Sequence, residues 1–130
     1  MRLLLDTHVL LDLTREGAHK SSPRLMKLLA APTTESYASA ASLWEIAIKT
    51  RLGKLDPGMA LEDLAGYLEA IGLTILPIER RHAVCFVEPE PPTRDPFDGM
   101  LLTQCEVEGL RLATIDRALA AHPLAVRFEQ

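Results

Sequence analysis

Cysteine is scarce in this chain. Cys85 and Cys105 are the only two among 130 residues, and they form neither a CxxC pair nor a zinc-ligand spacing. A secreted disulfide scaffold is excluded, and a reduced, cytoplasmic chain is the expectation. Positive charge is not in excess, since 14 Lys and Arg stand against 18 Asp and Glu for a net charge of −4. The molecule has no bulk attraction for nucleic acid, so any polyanion it handles needs local basic groups or a metal cation. Aromatic residues are few at 5%, which argues against a base-stacking surface and places Trp44 in the expected core. No apolar run nears the roughly 18 residues of a membrane span. The opening Met1 to Asp6 is too short and too soon acidic for a signal peptide. Neither GxxxxGKS/T nor GxSxG occurs, which sets aside P-loop nucleotidases and α/β-hydrolases.

What is present suits one globular domain spanning residues 1–130. The chain is 48% hydrophobic, and a chain of this length buries about two-thirds of its surface on folding. Leu3 to Leu5 reads as a short strand buried on both faces, ending at Asp6. A helix follows from His8 to Arg15. Ser21-Ser22-Pro23 caps a second helix that carries Leu25, Met26, Leu28 and Leu29 up to Pro32. Glu35 to Ser39 is a weak strand. Ser42 and Glu45 have capping-box spacing and open a helix that runs toward Gly53, with Leu43, Ile46, Ala47 and Leu52 as its core face. Leu61 to Ile71 is amphipathic and stops at Gly72. Leu73 to Leu76 is a strand, and Glu79 to Val87 reads as helical. Past a proline-rich loop, Asp95-Pro96 starts a helix to Glu108. Leu110 to Thr114 is a strand, Asp116 to Ala121 a short helix, and Leu124 to Phe128 a last strand. Strands alternating with helices imply a three-layer α/β domain with a mainly parallel sheet.

The acids fall at telling places. Asp6 and Asp116 follow strands, and Glu45 and Asp98 sit in the first turns of predicted helices. Parallel strands end at one edge, where ligands bind. Carboxylates gathered there repel, at about 3 kcal/mol per pair for about 5 Å and an effective dielectric of about 20. A hard divalent cation, Mg²⁺ or Mn²⁺, relieves that repulsion and activates water for phosphodiester hydrolysis. The competing reading makes each acid a helix cap or a turn residue. Spacing alone leaves both open.

Four blocks carry a resemblance: Leu3-Leu4-Leu5-Asp6-Thr7-His8, Ser39-Ala40-Ala41-Ser42-Leu43-Trp44-Glu45-Ile46-Ala47-Ile48-Lys49, Arg94-Asp95-Pro96-Phe97-Asp98 and Ala113-Thr114-Ile115-Asp116. Together, and in this order, they resemble the PIN-domain ribonucleases, most closely the VapC-like toxins of toxin–antitoxin pairs. The resemblance implies a PIN-like fold, Mg²⁺-dependent endoribonuclease activity, and Asp6, Glu45, Asp98 and Asp116 as metal-binding acids, direct coordination falling first to Asp6 and Asp98. It places Thr7 and Thr114 in support and makes Asp95 a helix cap. It also implies a cognate antitoxin, an RNA substrate, and a homodimer or toxin–antitoxin hetero-oligomer. The alternatives are a non-catalytic PIN-fold interaction domain, or a PIN nuclease used in RNA processing.

The chain departs from its relatives where they often carry Arg after the third acid, His at position 93 and an aromatic near Asp12. Here stand Gly99 and Thr93. A helical glycine costs about 1 kcal/mol relative to Ala, and Asp98-Gly99 is a reason for a delayed helix start. Lys49, Arg51 and Arg94 are candidate RNA contacts, with Lys54, Arg80 and Arg81 behind them. For Lys49 the competing reading is an i,i+4 pair with Glu45. His8, His19, His82 and His122 lack ligand spacing and are expected to be structural or surface residues.

Overall fold

A computed structural model describes residues 1–15 and 23–126. The first half runs β1 (Arg2–Leu5), α1 (Thr7–Thr14), α2 (Pro23–Ala30), β2 (Glu35–Ser39) and α3 (Ala40–Arg51). Then come α4 (Leu61–Ala70), β3 (Thr74–Leu76), α5 (Arg80–Ala83), α6 (Pro96–Glu108), β4 (Arg111–Ala113) and α7 (Arg117–Ala120).

The three leucines of β1 are fully buried, as a strand covered on both faces requires. The sheet order is β3-β2-β1-β4, and every pairing is parallel. Side-chain alternation divides the core in two. Leu3 and Leu5 join Val9, Leu10, Leu25, Leu64 and Leu68 from α1, α2 and α4. Leu4 and Leu112 meet Leu101, Leu102 and Leu119 from α6 and α7 on the other face. α3 spans both, with Ile46 in the first cluster and Ala41 in the second. The result is the expected three-layer parallel α/β architecture.

The topology positions the site. From β1 the chain moves to β2 and β3 on one side, then crosses back to β4 on the other. The carboxyl ends of β1 and β4 therefore flank a topological switch point, where such sheets bind ligands. Among the described residues no helix is long and apolar enough to cross a membrane.

Several expected boundaries move. α3 begins at Ala40, because Ser39 is its N-cap and accepts the Ala41 N–H at 3.0 Å. The Ser39 hydroxyl also donates to the buried Gln104 Oε1, which fixes the cap at the end of β2. Glu45 is therefore not a capping-box acid, and Leu52 is exposed rather than core. The expected helix from Glu79 to Val87 shrinks to α5. Its capping box, Glu79 with His82, starts it, but Val84 and Phe86 face solvent, so no apolar helix face carries it on to the buried Val87. α6 starts without delay, Pro96 in its first turn and Asp95 its cap. Of the expected strand Leu124 to Phe128, the described residues contribute a single bridge, Ala125 to Leu112. Residues 127 and 128 lie outside the described residues, as do His19 and the Ser21-Ser22 cap.

Candidate active site

Asp6 follows β1 directly, and its N–H donates to Ala113 O at 2.9 Å, extending the β1–β4 pairing by one step. Asp6 occupies the N-cap position of α1, yet its carboxylate bonds no helix amide. The residue is 2% exposed, and its carboxylate accepts the Thr114 hydroxyl at 2.7 Å. It also faces His8 Nδ1 at 3.9 Å, and this neighbouring carboxylate holds the His8 imidazole above its ordinary pKa against the opposing effect of burial.

Thr114 leads on to the fourth acid. Its Oγ1 accepts the Asp116 N–H at 3.0 Å, while the Asp116 carboxylate accepts the Ala118 N–H at 2.8 Å and caps α7. Asp116 thus reaches Asp6 through Thr114, and the cap reading holds for its carboxylate. It holds for Asp95 as well, whose Oδ1 accepts the Phe97 N–H at 2.8 Å.

Glu45 is different. It lies one turn inside α3 and is 6% exposed. Oε1 accepts the Thr7 hydroxyl at 2.8 Å, and Thr7 shares a further 2.9 Å hydrogen bond with Ser42. Oε2 accepts from Lys49 Nζ at 2.5 Å. The expected i,i+4 pair is present, but one partner is buried.

Asp98 stands in the first turn of α6. Burial pushes its carboxyl up to about 6, and the charges of Asp95, Asp6 and Glu45 push the same way against a hydrogen bond from Thr93. Asp98, Asp6 and Glu45 therefore share one electrostatic field across three different elements. A carboxyl raised by burial and by neighbouring carboxylates marks a functional cleft more often than an ordinary surface.

The basic candidates separate. Lys49 enters the acidic group. Arg51 is exposed in the last turn of α3. Arg94 is exposed, has a left-handed backbone (φ 54°), and lines a cavity of about 600 Å³ with Phe86, Asp95 and Gly99. Arg81 is committed elsewhere, to Glu79 at 3.0 Å and Glu108 at 2.6 Å.

Three contributors escape sequence reasoning. Trp44, expected in the core, is 60% exposed and packs edge-on against Phe97 with ring centroids 5.7 Å apart. This contact joins the residue before Glu45 to the residue before Asp98. Gln104 is fully buried, bonding Ser39 and donating to Pro77 O, so it ties α6 to the strand ends. His8 lies beside Asp6, a position hinted at only by its place two residues further along the chain.

The donor set fits a hard divalent cation. Asp6 is buried and Asp98 half-buried, the charge of Asp6 disfavours the ionised Asp98 carboxyl, and neither side chain caps a helix, so both carboxylates are available to such an ion. A second cluster does not fit. Glu79, His82 and Glu108 bring ligand atoms within 4.8 Å of one another. However, His82 Nδ1 accepts the Glu79 N–H at 2.9 Å, so Nε2 carries the proton it donates to Glu108 at 2.7 Å. No ring lone pair is left, and the Arg81 guanidinium already bridges both carboxylates. This cluster braces α5 to the far end of α6, about 15 Å along the helix from Asp98 at 1.5 Å per residue.

Comparison with curated proteins gave no match. The PIN domain family matches residues 3–123, so the chain belongs to the PIN-domain family, whose members are generally metal-dependent nucleases.

Proposed function

We propose that this PIN domain is a Mg²⁺-dependent endoribonuclease, with Mn²⁺ able to substitute, acting as the toxin of a toxin–antitoxin pair in the cytoplasm. The observations that carry the nuclease reading are the buried Asp6 and Glu45 carboxylates at the sheet's switch point, with Thr7, next to Asp6, donating to Glu45, and the Asp98 carboxyl raised by burial and by their charges. Asp6 and Asp98 would hold the cation, with Glu45 and Asp116 contributing through their hydrogen-bonded neighbours. The chemistry a bound divalent cation supplies is polarisation of the scissile phosphate and a nucleophilic water at neutral pH.

The chain's own residues provide the rest. Thr114 fixes the Asp6 carboxylate, and Thr7 fixes Glu45, as supporting groups around metal ligands commonly do. Lys49, Arg51 and Arg94 are the cations available to RNA phosphates. A cap-only, non-catalytic role suits Asp95 and Asp116 but not Asp6 or Glu45, whose side chains bond no helix N-terminal amide.

The toxin assignment, the antitoxin partner and a homodimer or hetero-oligomer rest on the four sequence blocks. Purified protein freed of any inhibitor is expected to cleave single-stranded RNA in Mg²⁺, and to stop in chelator or as Asp6→Asn. Full-rate cleavage by that variant or in chelator contradicts the mechanism. Growth arrest on expression, relieved by a neighbouring small gene, tests the toxin role.

A further inference from the structure

Glu45 and Lys49 do not form an ordinary surface pair. An exposed i,i+4 pair stabilises a helix by a few tenths of a kcal/mol at most and leaves both groups hydrated. Here the Glu45 side chain is 8% exposed and that of Lys49 39%. Both Glu45 oxygens are engaged, by Thr7 and by Lys49, so this carboxylate has no oxygen left without a partner. Lys49 in turn feels the charges of Glu45, Asp95 and Asp98. Its ammonium is thus a fixed positive charge held inside the acidic group by a buried anchor.

We propose that Lys49, positioned by Glu45, is the resident counter-cation of the acidic crevice and its phosphate-binding group, and that it makes metal and RNA binding favour one another. The inference rests on the nuclease reading and assigns Glu45 to positioning Lys49 rather than to direct metal coordination. Without RNA, Lys49 neutralises part of the acidic charge that attracts a divalent cation, and it repels that cation as a like charge. An RNA phosphate would be attracted to the Lys49 ammonium and to a bound cation alike, and its charge would offset their repulsion. Each ligand therefore strengthens the other, as linkage requires. The Lys49 side chain is 39% exposed, and its hydrogen bond to Glu45 takes only one of the three ammonium hydrogens.

The test compares wild type with Lys49→Met, Lys49→Arg and the double variant Glu45→Gln/Lys49→Met, which leaves no unpaired buried carboxylate. Two binding measurements are made. Mn²⁺ is titrated calorimetrically without RNA, and a labelled single-stranded RNA 12-mer is titrated in EDTA across a salt series. Lys49→Met is expected to bind Mn²⁺ about five- to tenfold more tightly. It should bind RNA at least about fivefold more weakly, with a salt slope smaller by about one. Lys49→Arg should track wild type in both, and the double variant should lose RNA affinity as Lys49→Met does. Unchanged or weaker Mn²⁺ binding by Lys49→Met, or unchanged RNA affinity and salt slope, overturns the proposal. A wild type that binds Mn²⁺ but cleaves no RNA sinks the nuclease reading alone, because the RNA titration in EDTA decides the role of Lys49 separately.

Discussion

Replacing Asp98 with Asn should stabilise the metal-free protein while abolishing its response to metal. The Asp98 carboxyl rises from 3.8 to about 6, chiefly through burial and then through like charges. Such a displacement corresponds to at most about 3 kcal/mol of destabilisation when the group is ionised. The carboxyl is only half-buried, so solvent screening reduces the expected effect to about 1 kcal/mol. The sign follows from linkage. Between pH 3.8 and about 6 the folded form holds a proton that the unfolded form has released, so stability falls as pH rises through that window. Above it the destabilisation is complete, and below it absent. In EDTA at pH 7.5, Asp98→Asn should melt about 3–5 °C higher than wild type, and at pH 4.5 the gap should shrink to about a third. Adding Mn²⁺ should raise the wild-type melting temperature and leave the variant unmoved. A variant that melts at or below wild type in EDTA at pH 7.5 would refute the reasoning, because burial and like charge would then not disfavour the ionised Asp98 carboxylate.

Other residues give independent checks. His82→Ala removes the ring between the Glu79 amide and Glu108, and should cost about 2–4 kcal/mol in urea unfolding; Mn²⁺ affinity should not change, since that brace lies at the far end of α6. Gly99 sits in α6 with nothing within 4 Å of an added Cβ. Gly99→Ala should therefore gain about 0.5–1 kcal/mol in the same assay. Thr114→Val deprives Asp6 of its donor and the Asp116 amide of its acceptor, and should lower RNA cleavage about 10- to 100-fold for a stability loss of about 1–2 kcal/mol.

Legibility from sequence followed how local each cause was. The leucine run of β1, the Asp95-Pro96 start of α6 and the glycine stop after it declare themselves within a few residues, and they stand where expected. Gly109 adopts the left-handed conformation (φ 71°) that ends such a helix. The start of α3 was misplaced at Ser42, whereas Ser39 takes the cap. The choice is made by Gln104, 65 residues away in sequence from Ser39. The strand-end position of Asp6 was readable from pattern and topology. The burial of Glu45 was not, since nothing local says that Thr7 and Lys49 take up its two oxygens. Trp44 went the other way, because composition cannot show that Phe97 draws it onto the outer edge of the site.

The most direct test is a crystal structure of the protein soaked in Mn²⁺, with anomalous data collected to locate the ion. The account predicts one strong peak between the Asp6 and Asp98 carboxylates, at metal–oxygen distances of about 2.1–2.2 Å. Density at Glu79, His82 and Glu108 instead, or a well-diffracting crystal with no peak beside Asp6, would contradict it.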